Sequence, residues 1–151
     1  MSEVNSDLDF QVRRQIYESI LEKGSFPSAQ EPAQSLSVEL SAIDNSLHRL
    51  AVAHVLVLQP DRSEIMMAMP FSAIPTPFQV DIAGRVYCGV CSWDALGIAA
   101  MMKQDARIRT ACGCCGYSMN LAVTDLVLEP AEGVLHFGVP AARWWDNIVF
   151  T

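Results

Sequence analysis

Five cysteines crowd into one stretch of this chain of 151 residues: Cys88, Cys91, Cys112, Cys114 and Cys115. Thiols gathered this closely can build a disulfide framework, ligate a soft metal or act as nucleophiles. Disulfide frameworks belong to oxidising compartments. The first ten residues, MSEVNSDLDF, are acidic and carry no apolar signal-peptide core, so a cytoplasmic setting and free-thiol chemistry are expected. Two arrangements compete. In the first, Cys88-x2-Cys91 and Cys112-x2-Cys115, separated by residues 92–111, supply four thiolates to a structural zinc ion. That arrangement leaves Cys114 over.

The second arrangement starts at Cys91-Ser92-Trp93-Asp94. A thiol stands at the mouth of a helix, and a carboxylate three residues later faces the same way. The helix N-terminus is expected to lower the thiol pKa by stabilising the thiolate. A partly desolvated carboxyl group beside it can donate or relay a proton. A soft thiolate next to a proton source suits attack on a soft metal centre. The plain alternatives are a buried core cysteine for Cys91 and a first-turn carboxylate complementing the helix dipole for Asp94. His48, His54 and His136 have no partner at metal-ligand spacing and read as structural. Met66, Met67, Met69, Met101 and Met102 read as core filler. Trp144-Trp145 reads as an apolar clasp or as an exposed apolar surface that a further segment would cover.

The elements that must position these residues follow from periodicity. Residues 1–9 form a polar lead-in. A helix runs from Phe10 to Lys23, with Val12, Ile16, Ile20 and Leu21 on one side and Gly24 ending it. Ser28 caps a short helix to Leu36, and Ser37 caps a third from Val38 to His54. Val55–Leu58 and Ile65–Met69 then pair across a Pro60-Asp61 turn. Three helices and a hairpin outline a winged helix, assigned here to residues 1–69. Its third helix offers Arg49 as its only permanent cation, so a structural or homodimer-forming role is expected in place of DNA binding.

Residues 70–151 make a second domain, opening with the proline-rich connector PFSAIPTPF. Strands are predicted at Gln79–Ile82, Arg85–Cys88, Ile108–Ala111, Ser118–Val123 and Val134–Val139, with a helix from Ser92 to Lys103. The fold class is therefore α+β, a winged-helix-like module followed by a small α+β domain with a mixed or antiparallel sheet. Composition narrows the partners. Half the residues are hydrophobic (51%) and 18% are charged, which excludes disorder for most of the chain. A net charge of −7 disfavours nucleic acid, and no apolar run is long enough to span a bilayer.

The series Pro70-Phe71-Ser72, Pro75-Thr76, Val80-Asp81-Ile82, Tyr87, Cys91-x-x-Asp94-Ala95-Leu96, Cys112, Gly116, Glu129-Pro130-Ala131 and Pro140 resembles the alkylmercury lyase (organomercurial lyase) family. The resemblance implies protonolytic cleavage of a carbon–mercury bond, with an organomercurial substrate, cellular thiols as partners and no organic cofactor. It gives Cys91 the mercury-binding role and Asp94 proton delivery, and it matches Cys112 to a structural cysteine. The family's second catalytic cysteine would fall just after Thr151. Cys114, Cys115 and Cys88 are therefore candidates for the further metal thiolate. Two alternatives stay open: a thiolate protein that binds zinc, copper or mercury without turnover, and a lyase-fold enzyme acting on another sulfur- or metal-containing metabolite.

Overall fold

The computed structural model describes residues 6–149. Three helices come first: α1 (Ser6–Lys23), α2 (Gln30–Leu36) and α3 (Leu40–Val52). The lead-in expected over residues 1–9 is already helical from Ser6, while residues 1–5 lie outside the described residues. Asp9 explains the earlier start. It is buried and accepts hydrogen bonds from Ser46 Oγ at 2.6 Å and from Arg49 Nη2 at 2.7 Å, which fastens α1 to α3. The one cation of α3 is thus held by a carboxylate within the fold. Neither predicted serine cap forms. Ser37 ends α2 in the left-handed conformation instead of starting α3, and Glu39 precedes α3 in extended backbone. Ser28 donates its backbone N–H to Glu31, leaving Ala29 at the start of α2.

Strands β1 (Leu56–Leu58) and β2 (Ile65–Ala68) form the expected hairpin. A third strand, β3 (Phe71–Ser72), adds to β2, so part of the proline-rich connector is paired. This three-stranded sheet, in the order β1-β2-β3, follows the three helices. One continuous hydrophobic core runs from Val12, Ile16 and Ile20 of α1 through Phe71 to Val80, Tyr87 and Ile108 of the second half. Polar ties cross the same junction. Tyr17 donates its hydroxyl to the Met69 carbonyl at 2.7 Å, and Arg85 and Tyr87 both donate to the Leu21 carbonyl near the end of α1.

The second sheet is antiparallel throughout, in the order β5 (Arg85–Cys88), β4 (Gln79–Ile82), β6 (Ala106–Ala111), β7 (Ser118–Thr124), β8 (Val127–Glu129). Its register sets Tyr87, Val80, Ile108 and Leu121 side by side in one row. With a side-chain period of two, that row and its neighbours Ile82, Ala106 and Val123 form the face covered by α4 (Ser92–Met102). Ala95, Ile98 and Ala99 are the buried residues of that helix. The next row, Cys88, Gln79, Arg109 and Asn120, belongs to the opposite face.

The strand expected at Val134–Val139 does not form; β8 at Val127–Glu129 closes the sheet instead. Asp125 and Leu126 both take positive φ (50° and 63°), giving the tight two-residue reversal that a right-twisted hairpin needs. Val134 is exposed, and Phe137 turns toward two tryptophans, so this apolar run packs through its ring in place of a backbone ladder. The chain then makes a 3-10 turn over Ala141–Asp146. Among the described residues no helix is long and apolar enough to cross a membrane.

Candidate functional site

Cys91 stands immediately before α4 in extended backbone, φ −143° and ψ −177°, and its carbonyl accepts the Ala95 N–H at 3.0 Å. Asp94 lies in the first helical turn. Three residues of helix bring its carboxylate back over the N-terminus, where Oδ2 is 3.1 Å from Cys91 Sγ. A thiol donates and a carboxylate accepts, so the contact places the thiol proton on the line between them.

What holds this turn in place is Gly89, which the sequence reading did not single out. A Cβ built there would lie 2.8 Å from the Ala95 nitrogen and 3.2 Å from the Cys91 carbonyl oxygen. The first turn of α4 therefore rests directly on the backbone at position 89. Gly89 is tied in turn by its N–H to the Phe78 carbonyl at 2.8 Å and by the Thr76 hydroxyl to its own carbonyl at 2.7 Å. The only signal in the sequence was a glycine between two cysteines of a strand-to-helix junction.

Electrostatics at the pair differ from the expectation. Burial pushes the Cys91 thiol up to about 11; the nearby amides of Asp94 and Trp93 pull it down, but the Asp94 carboxylate raises it further. The helix N-terminus thus acts with the predicted sign and loses to desolvation and to the neighbouring negative charge. Asp94 is also raised, chiefly by burial and against the Cys91 hydrogen bond. Both shifts disfavour the charged forms, and the protonated Cys91 thiol is the group that donates to the Asp94 carboxylate.

Cys91 and Asp94 open into a cavity of about 210 Å³ whose other walls are apolar: Met69, Val90, Trp93, Phe137, Trp144, Trp145 and Ile148. The far wall comes from the segment that failed to be a strand. Phe137 meets Trp93 edge-on at 6.2 Å between centroids and Trp144 at 5.2 Å. Trp144 donates its indole N–H to the Val139 carbonyl at 2.8 Å, and Trp145 stacks flat on His54 at 4.1 Å. The apolar clasp predicted for Trp144-Trp145 therefore roofs the cysteine pocket and anchors it to the end of α3.

The structure does not gather the other cysteines here. Cys88 sits on the opposite face of the sheet from α4 and lines a separate cavity with Ile20, Phe71 and Pro75. Cys112, Cys114 and Cys115 lie in the β6–β7 connection, Cys112 half-buried and the other two exposed. The Cys112 thiol is held below the ordinary thiol range, first by the Cys115 and Cys114 amides and then by the Cys115 side chain. The four-cysteine zinc arrangement is not assembled. Among the described residues no three His, Cys, Asp or Glu side chains converge at metal-holding distance. Spacing along the chain suggested a tetrahedral set; pleating puts Cys88 on the wrong face for it.

The profile of the MerB alkylmercury lyase family matches residues 71–151. Among solved structures, the mercury-bound form of MerB2 superposes with a TM-score of 0.66 at 20% identity, covering 86% of this chain. The alignment takes in 63% of that structure, so this chain spans less than two thirds of its length. No curated protein sequence matches the chain significantly.

Proposed function

The chain belongs to the alkylmercury lyase family, and from that membership we propose that it cleaves the carbon–mercury bond of small organomercurials by protonolysis, with Cys91 as the mercury-binding nucleophile and Asp94 as the proton carrier. The contact between Cys91 Sγ and Asp94 Oδ2, 3.1 Å long and set in an apolar cavity, carries this reading. The cavity volume of about 210 Å³ suits a short alkyl or single-ring aryl group, whose apolar surface the tryptophans and Phe137 would shield from water.

In this mechanism the substrate arrives as a thiol adduct, R–Hg–SR′, the form an organomercurial takes among cellular thiols. Mercury is a soft acid and binds sulfur in preference to the carboxylate. As the Hg–S bond to Cys91 forms, the thiol proton moves to Asp94, whose raised proton affinity lets it hold and return that proton. The added sulfur ligand pushes electron density onto the carbon. The Hg–C bond breaks with its electron pair on carbon, which takes the proton from Asp94 and leaves as R–H. Atoms and charge balance: R–Hg–SR′ and Cys91–SH become R–H and Cys91–S–Hg–SR′. The raised thiol pKa is useful here, because a protonated thiol brings to the site the proton that the carbon needs.

Mercury is substrate and product in this scheme, and no step calls for an organic cofactor. The scheme needs Cys91 as a free thiol; all five cysteines are free, a state that a reducing cytoplasm would maintain. We assign residues 70–151 to the reaction and residues 1–69, in winged-helix order, to supporting the α4 junction. The test is release of benzene from a phenylmercury–thiol adduct by the reduced protein. Wild type should release it, Cys91→Ser should neither release it nor retain mercury in the pocket, and Asp94→Asn should bind without turnover. Equal release by all three proteins would refute the assignment.

A further inference from the structure

Three of the five cysteines belong to the β6–β7 connection, Cys112-Gly113-Cys114-Cys115-Gly116-Tyr117, and none of them lines the Cys91 cavity. Two backbone bonds shape this loop. The Cys112 N–H donates to the Tyr117 carbonyl at 2.8 Å and continues the hairpin; the Gly116 N–H donates to the Cys112 carbonyl at 2.8 Å and closes the turn. Gly116 takes φ +72°, the left-handed conformation that lets the chain double back so tightly. As a result Cys112 and Cys115 are held within one closed turn, and the Cys115 and Cys114 amides and the Cys115 side chain lower the Cys112 thiol pKa. Two thiols thus share one tight turn, open to solvent on the Cys115 side and unpaired as a disulfide.

We propose that Cys112 and Cys115 form a second soft-metal site, a two-thiolate port that takes Hg²⁺ from Cys91. The donor set selects the ion. Thiolates favour soft metals, and two of them satisfy a d¹⁰ ion such as Hg²⁺ or Cu⁺, which accepts linear coordination. Zinc wants four ligands, and no third His, Cys, Asp or Glu joins this pair among the described residues.

Placement supports the transfer. Gln79 pairs with both Cys88 and Arg109, so the end of β5 and the end of β6 lie at the same end of the sheet. Cys91 follows β5 by a short link, and Cys112 follows β6 directly. The alternation from Ile108 through Thr110 carries Cys112 to the face that α4 covers. Mercury leaving Cys91 therefore reaches the port without crossing the sheet. The exchange balances: Cys91–S–Hg–SR′ with Cys112–SH and Cys115–SH gives Cys91–SH, R′SH and mercury bridging the two sulfurs. Only the origin of the Hg²⁺ rests on the proposed lyase function; the dithiol site stands apart from it.

The test uses the full chain with Cys91→Ser and Cys88→Ser, reduced, loaded with equimolar HgCl₂ and challenged with excess glutathione before gel filtration and mercury analysis. Retained mercury is the expected result. Adding Cys112→Ser or Cys115→Ser should weaken retention about 100-fold, the order of advantage a second linked ligand confers, whereas adding Cys114→Ser should not change it. Circular dichroism checks that each variant is folded. Retention that survives loss of both Cys112 and Cys115, or that falls equally with Cys114, overturns the port. Benzene release by the wild type is followed in parallel. Turnover without retention in the Cys91→Ser, Cys88→Ser background refutes the port alone, and retention without wild-type turnover refutes the lyase reading alone.

Discussion

Raising the pH in the absence of any mercurial should leave Cys91 unreactive long after the exposed cysteines have been alkylated. With its pKa pushed up to about 11 from the ordinary 9.0, Cys91 is ionised to about one part in 10³ at pH 8, against about one part in ten for an unperturbed thiol. A more basic thiolate is the better nucleophile, and a Brønsted slope near 0.45 over this difference returns a factor of about 8. Cys91 should therefore react with iodoacetamide roughly tenfold more slowly than an ordinary thiol at pH 8, and its rate should keep climbing through pH 10. Cys112, held below the ordinary range, should level off first. Peptide-resolved mass spectrometry of timed alkylation between pH 6 and 11 reads both profiles. Steric access alters the absolute rates, so the pH at which each curve flattens decides the matter. A Cys91 profile that levels below pH 9 would mean that the helix amides dominate. The site would then hold a thiolate with no proton to give, and the mechanism would fail.

Three further outcomes follow from the same geometry. Asp94→Asn should lower kcat by about 10²–10⁴, the usual contribution of a positioned proton carrier. The same change should also raise the melting temperature at pH 7. Asp94 has a raised native pKa, so ionisation opposes folding once the pH exceeds the unfolded value, and calorimetry at pH 4 and pH 7 should show the gain only at the higher pH. Gly89→Ala inserts a Cβ 2.8 Å from the Ala95 nitrogen; the displaced first turn should cost about 10²-fold in kcat with the far-ultraviolet spectrum intact. Arg49→Met leaves the Asp9 carboxylate, 5% exposed, without its partner. It should destabilise the fold by about 2 kcal/mol in urea titration, at the low side for a buried pair because Arg49 is itself 21% exposed. Asp9 has a lowered pKa, so its stabilising effect is present above the unfolded carboxylate value and disappears as the pH falls through the native one.

Much of the architecture was legible because it is local. The stripe Val12, Ile16, Ile20 predicts α1, and Ala83-Gly84 between two alternating segments predicts the β4–β5 hairpin; both are observed. Asp9 shows where local reading stops. It lies before the apolar stripe and looks like part of a polar lead-in, yet it is buried because Ser46 and Arg49 wait for it on α3. Ser37 has the right residue type for a helix start, but the left-handed end of α2 needs the same residue, and that competing use wins.

At the site, residue types and spacing determined the chemistry. A thiol and a carboxylate three apart at a helix start must share one side of the turn, because the helical period is 3.6 residues, and the 3.1 Å contact follows. Only the tertiary structure decided the direction in which the two pKa values move. Burial is a property of what packs around the pair: Trp93 is local, but Phe137 and the Trp144–Trp145 segment arrive from far along the chain. It also sorted the cysteines. Cys88 is three residues from Cys91 in sequence, but the pleat turns it to the other face of the sheet, whereas Cys112, twenty-one positions away from Cys91, returns to the α4 side through antiparallel pairing. The sequence sets which thiols exist, and sheet register sets which of them share the α4 side.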